Sequence, residues 1–150
     1  MRYFDPKTIF LAGHAQHIVL VHFPIALLIS SVFFDLLARW TGRVEPAIAG
    51  AYNLYAAAVS APFAAITGLL AWRWQLEGAR LRGPLLLHLS AAAVVVVLCG
   101  SLAWFRWWRG GTPGSPLPPA FYVAGFAAVV AVVATAHLGG ILSGVVIPSH

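Results

Sequence analysis

Charged residues are scarce in this chain. Asp, Glu, Lys and Arg make up 9% of its 150 residues, whereas 61% of the residues are hydrophobic. An average soluble domain is about 25% charged, and a water-soluble core of this size cannot bury so much apolar surface. Together with a mean hydropathy of +0.87, this composition predicts an integral membrane protein.

Cysteine and acidic residues are almost absent as well. Cys99 is the one cysteine, which excludes a disulfide framework and the C-x-x-C-H motif that attaches c-type haem covalently. The four acidic residues lie away from the middle of the long apolar runs, so neither a transporter's proton relay nor a Ser–His–Asp triad is expected. The net charge of +5 falls on segments that flank apolar runs, which is usual in membrane proteins and indicates no nucleic-acid partner.

Four apolar runs are long enough to cross the bilayer, which takes about 20 helical residues. Backbone polar groups must be satisfied within the bilayer, so each run is predicted to be a helix. Short connections make consecutive helices antiparallel neighbours. The expected fold is therefore all-α, a single domain over 1–150 that forms an up-down-up-down four-helix membrane bundle with both termini on the same side. The predicted spans are 17–38, 50–72, 84–105 and 119–143.

The two ends of this bundle differ little in charge. Side A is the end with both termini and the segment 73–83, and side B is the end with the segments 39–49 and 106–118. Five Lys and Arg residues fall on side A and four on side B, so the positive-inside rule gives no orientation. Near side B, Asp35 precedes Arg39 by four residues, and the two are expected to form a local ion pair.

All six histidines fall on side A in this arrangement. His22, His88 and His137 come from three different helices, and each lies roughly 6–9 Å inside the side A boundary. Ionisable side chains within spans usually face the bundle interior and mark a functional site, so these three are expected to converge. The simpler alternative is that each makes one interhelical hydrogen bond that stabilises the bundle.

His17 lies five residues before His22, about 140° around a helix, so the two share a face only if Pro24 distorts the turn. His17 is therefore expected to be an interfacial or second-site ligand. Pro24 cannot donate a hydrogen bond to the carbonyl of Leu20. That either starts the regular helix there or bends it, and both arrangements would aim His22 inward.

Small residues accompany the histidines. Gly140 follows His137 at i+3, and helix 2 carries a stripe of small residues with Thr67 beside it. Such a stripe provides either a close-packed seam or space for a flat ligand. The residues of the stripe are Ala57, Ala61, Ala64 and Gly68.

Two kinds of cofactor suit these residues. Haem b is bound by axial histidines from facing helices, and its propionates seek cations, which Arg73, Arg80 and Arg82 offer on side A. Copper or zinc is the alternative, since both bind neutral imidazole. The metal ligands would then be His22, His88 and His137.

Four stretches of the chain resemble one bacterial family of small predicted four-helix membrane proteins, which is catalogued as a domain of unknown function. The most specific is the first-helix motif "HIVLVHFPI" at 17–25, continued by "AL". The others are "TGLLAW" at 67–72, a histidine near the start of the third helix at His88, and "AHLGG" at 136–140. The resemblance covers most of the chain.

The resemblance implies redox work, because members of that family occur fused to or near c-type cytochromes. It favours haem b and electron transfer, with a c-type cytochrome or a larger membrane redox complex as the partner. Members often carry an acidic residue where this chain has Ala71, and a further histidine where it has Val146. A second site built on those residues would be missing here.

These observations predict an electron carrier or accessory subunit of the bacterial inner membrane, rather than an enzyme in its own right. One haem b would be held by two of the three converging histidines. The pair His22 and His88 is preferred, because helices 1 and 3 lie diagonally in a simple bundle. His137 would then bond a propionate, a quinone or a group that supports the ligands. The alternatives are a cofactor-free structural subunit of a larger complex and a copper- or zinc-binding membrane protein.

Overall fold

The computed structural model describes residues 15–75, 78–109 and 117–144. His14, Val146 and His150 lie outside the described residues. The described chain forms four α-helices, each long and apolar enough to span a membrane, which confirms the predicted all-α membrane bundle. The helices are α1 (Ala15–Thr41), α2 (Val44–Gln75), α3 (Gly83–Trp108) and α4 (Pro119–Leu142).

Most helix ends extend beyond the predicted spans. The largest difference is at α2, which starts at Val44 and includes Pro46 in its first turn, where proline needs no hydrogen-bond partner for its nitrogen. The sequence prediction counted apolar residues, whereas the helices continue through polar and aromatic residues that suit the membrane interface. Only two residues separate α1 from α2, and Gly42, at φ 68°, provides the left-handed turn that ends α1.

The helix α1 continues through Pro24, whose side chain is buried. The regular helix therefore begins upstream of the proline, at Ala15. Neighbouring helices and local adjustments tolerate proline within a membrane helix. His22, two residues before the proline, lies on the exposed face of this helix.

The helices form a ring in which each packs against the next, and α4 closes the ring on α1. The helices α1 and α3 are therefore diagonal, as predicted, and so are α2 and α4. Packing is most extensive between α1 and α2 and between α3 and α4. We call these pairs hairpin 1 and hairpin 2, and the sparser interface between them the seam.

Each helix turns a stripe of buried residues toward the bundle axis, with the alternating three- and four-residue spacing of knobs-into-holes packing. Large apolar side chains such as Val59, Phe63 and Phe126 are exposed on the outside, where they would contact lipid. The small residues of the α2 stripe from 57 to 64 are buried in this packing, so this part of the stripe is a close-packed helix surface. The buried stripes include Leu28, Ser31 and Asp35 in α1, Leu54, Ala57, Ala61 and Ala64 in α2, Val95, Cys99 and Leu102 in α3, and Phe121, Gly125, Ala128 and Val132 in α4.

The buried positions of the two hairpins match at a constant offset of 71 residues. Adding 71 to Leu28 gives Cys99, and adding 71 to Ala57 gives Ala128; all four side chains are 0% exposed. Since α1 runs parallel to α3, and α2 to α4, an approximate two-fold rotation about the bundle axis relates hairpin 1 to hairpin 2. The fold is thus a tandem repeat of one helical hairpin.

Candidate functional site

His17 lies on the buried stripe of α1, seven residues before Pro24, and its ring is held by the neighbouring helix α2. Its Nδ1 atom is 3.1 Å from the carbonyl oxygen of Ala64 and 3.1 Å from Oγ1 of Thr67. A carbonyl oxygen can only accept a hydrogen bond, so Nδ1 carries the proton and donates it. The ring is therefore the tautomer with its lone pair on Nε2.

His88 is held in the same way within hairpin 2. Its Nδ1 atom donates to the carbonyl oxygen of Thr135 in α4, at 3.0 Å. This contact sets the same tautomer as in His17. A histidine whose Nδ1–H is fixed by a carbonyl is the usual form of a metal-binding imidazole, because the hydrogen bond orients the ring and raises the basicity of Nε2.

A glycine lies beside each of these two imidazoles. A Cβ atom at Gly68 would lie 2.9 Å from Cε1 of His17, and one at Gly139 would lie 3.3 Å from Cε1 of His88. Without side chains, these glycines let the two rings lie directly against α2 and α4.

The two histidines occupy equivalent positions in the repeat. Each lies 47 residues before its carbonyl acceptor, and adding 71 to His17 gives His88. Each ring is fixed by its own hairpin, and the two meet across the seam with their centroids 6.5 Å apart and their planes at 88°. Two imidazoles bound through Nε2 on opposite sides of one metal place their centroids about 6 Å apart, since each metal–nitrogen bond is about 2 Å long. The centroid separation of the pair is close to this value, and the angle of 88° between the planes is that of an edge-to-face contact.

His22 and His137, in contrast, have exposed side chains. Nδ1 of His22 donates a hydrogen bond to the carbonyl oxygen of Ile18 in its own helix, at 2.6 Å. His137 is two residues from Thr135, about 200° around α4, and so it faces away from the axis. The predicted convergence of His22, His88 and His137 is not formed, because the inward position on α1 belongs to His17.

The other predicted site residues lie around the side A end. Arg73, Arg80 and Arg82 are exposed there, where they can meet an anionic group or the membrane surface. Gly140 is half-buried, but its neighbour Gly139 is the glycine that contacts His88. Within the described residues, no three His, Cys, Asp or Glu side chains lie close enough together to hold a metal ion.

A second polar contact crosses the seam near side B. Asp35 is 4% exposed, and Nη1 of Arg106 lies 2.7 Å from both of its carboxylate oxygens. The predicted pair of Asp35 with Arg39 is therefore wrong. Asp35 belongs to the buried stripe and needs a buried cation, which α3 provides, whereas Arg39 is exposed and lies over the ring of Tyr122 at 5.4 Å.

A family of predicted membrane proteins, described as "Predicted membrane protein (DUF2231)", matches residues 13–145. The chain belongs to this family. The match spans all four helices and agrees with the resemblance seen in the sequence, and the function of the family is unknown. No curated protein and no solved structure matches the chain.

Sequence reasoning singled out His88, but it did not expect His17 of this DUF2231 protein to face it. Two signals in the sequence point to that role. His17, Pro24 and Ser31 recur at seven-residue intervals, which places them on one helix face. In addition, residues 17–70 align with 88–141 without a gap, and this alignment pairs His17 with His88.

Proposed function

We propose that this DUF2231 protein is a membrane electron-transfer subunit that holds one haem b between its two hairpins, with His17 and His88 as the axial ligands. The observation that carries the proposal is the pair of equivalent imidazoles at the bundle axis. Both have Nδ1 fixed by a main-chain carbonyl, and their centroids are 6.5 Å apart. The pair replaces His22 and His88, the pair preferred from the sequence alone.

The residues fit a haem in three respects. Axial ligation takes two histidines from facing helices, and α1 and α3 face each other across the axis. Hydrogen bonds from Nδ1 to carbonyl groups support axial imidazoles. The ligands also come from opposite sides of the seam, where the hairpins pack less extensively than the helices within each hairpin do.

The bound haem would supply one-electron redox chemistry, and the chain would position it. The carbonyl groups of Ala64 and Thr135 would fix the two imidazoles, and the arginines of side A would attract the propionates. His137 faces outward, so a quinone in the membrane suits it better than the haem does. The electron partner would be a c-type cytochrome or a larger redox complex of the bacterial inner membrane.

A cofactor-free structural subunit is the second candidate. The same two hydrogen bonds favour it, because each joins two helices and such contacts stabilise membrane bundles by about 1 kcal/mol. The ring of His17 also meets the ring of His88 edge to face, so the two can pack together without a ligand.

A pyridine haemochrome assay and elemental analysis on the same purified sample distinguish these candidates. The expected result is about one haem b per chain, with a reduced α-band at ~560 nm, as is typical of low-spin haem b. A sample with neither haem nor metal would overturn the proposal in favour of the structural subunit. Stoichiometric copper or zinc without haem would replace haem by a metal site.

A further inference from the structure

The two hairpins differ in the sign of their charge at one level of the axis. Asp35 and Arg106 are equivalent positions, 71 residues apart, but they carry opposite charges. At three other levels near the axis the repeat keeps the same residue in both hairpins. The pairs with the same residue are His17 with His88, Ala57 with Ala128, and Gly68 with Gly139.

The charged pair is built across the seam. The carboxylate of Asp35 fills the space beside Gly50 that a Cβ would occupy, and Ser31 Oγ donates to the carbonyl of Gly50 at 2.8 Å, so Asp35 is enclosed by hairpin 1. Arg106 reaches out of hairpin 2 and donates from Nη2 to the carbonyl of Ala47 at 2.8 Å. The guanidinium group thus bonds both helices of the other hairpin.

Opposite charges at equivalent positions determine which hairpins can pair. A two-fold pairing of hairpin 1 with a second hairpin 1 would bring two carboxylates together in a buried place, and a pairing of two hairpins 2 would bring two guanidinium groups together. Like charges that face each other across an interface oppose association, and this is a common means of specificity.

We propose that the seam is an interface between two homologous two-helix units, and that the ion pair of Asp35 and Arg106 selects the pairing of unlike hairpins over that of like hairpins. The partner that fits either face is a hairpin of the same kind with the opposite charge at this level. Within one chain this selection closes the four-helix bundle. Between chains it disfavours complexes in which hairpin 1 pairs with another hairpin 1, or hairpin 2 with another hairpin 2. The inference does not depend on whether a cofactor is bound.

The test uses full-length chains purified in detergent and analysed by size-exclusion chromatography with light scattering. Asp35→Arg places two arginines opposite each other within the chain, and Arg106→Asp places two acidic residues opposite each other. Each single variant is expected to reduce the wild-type species by at least ~10-fold, because an unpaired buried charge is strongly destabilising. The double variant Asp35→Arg with Arg106→Asp is expected to recover that species. Co-expression of the two single variants is expected to give a folded mixed complex of two chains, in which each hairpin pairs with an oppositely charged hairpin of the other chain.

A neutral double variant separates pairing selection from simple stabilisation. Asp35→Leu with Arg106→Leu keeps the site packed, so the chain is expected to fold. Complexes of two chains in which like hairpins pair should then appear beside the wild-type species. The exposed pair of Arg43 and Glu45 is the matched control, and Glu45→Arg should leave the profile unchanged. The proposal is overturned if the neutral double variant gives the wild-type profile alone, or if neither the charge swap nor co-expression recovers a folded species.

Discussion

Gly68 and Gly139 determine how closely the two histidines can approach their helices. A Cβ atom added at Gly68 would lie 2.9 Å from the His17 ring, a distance that real Cβ atoms essentially never show. A Cβ atom added at Gly139 would lie 3.3 Å from the His88 ring. A methyl group at Gly68 would therefore displace the imidazole, and one at Gly139 would require a smaller shift. A Cβ atom added at Gly100 in α3 would meet no other atom within 4 Å.

Gly68→Ala is expected to destabilise the bundle by about 1–3 kcal/mol through overpacking, and to remove any ligand that His17 holds. The effect of Gly139→Ala should be smaller. The control Gly100→Ala should be neutral, or stabilising by up to about 1 kcal/mol, since alanine favours helix. Thermal unfolding followed by circular dichroism gives the order of the three variants. Equal melting temperatures for Gly68→Ala and Gly100→Ala would contradict this account of the contact.

The second helix shows how one element packs inside the bundle and in lipid at once. Ala57 is 0% exposed and belongs to the small-residue stripe, whereas its neighbour Ala56 is exposed. A larger side chain meets packed neighbours at the first position and lipid at the second.

Ala57→Leu should therefore destabilise the protein by about 1–3 kcal/mol. Ala56→Leu, which adds the same atoms one residue earlier, should change stability by less than ~0.5 kcal/mol. The repeat provides a second copy of the experiment in α4, with Ala128→Leu as the test and Ala127→Leu as the control. Denaturant titrations of the four variants in detergent measure the differences. A large loss for the exposed variants would show that the faces are assigned wrongly.

The sequence was sufficient to predict the number of helices, their order and the diagonal placement of α1 and α3. These follow from hydropathy and short connections, and both are strong signals in a membrane protein. The inward faces were harder to predict, because a helix that is apolar all round has no amphipathic pattern to separate its faces. His22 was therefore placed inward because ionisable side chains within spans usually face the bundle interior, although His17 occupies that face. The partner of Asp35 was missed for a related reason: a contact between α1 and α3 leaves no local spacing pattern in the sequence.

At the scale of the whole molecule, the described helices form two similarly packed hairpins that share a polar contact near each end of the axis. Near side A the two copies contribute the same residue, and the imidazoles of His17 and His88 face each other. Near side B they contribute opposite charges, and Asp35 pairs with Arg106. Because a two-fold axis makes the histidines equivalent, neither should be able to hold a shared ligand without the other.

The most direct measurement of this claim is the haem content of the purified protein and of four single alanine variants, by absorption spectroscopy per mole of chain. Loss of either proposed ligand, in His17→Ala or His88→Ala, is expected to reduce bound haem by a similar factor of at least ~10. His22→Ala and His137→Ala are the matched controls on α1 and α4, and both should keep the wild-type haem content because their side chains face outward. A wild-type protein that binds haem but loses it in His22→Ala or His137→Ala, and not in His17→Ala, would contradict the assignment of the ligand pair.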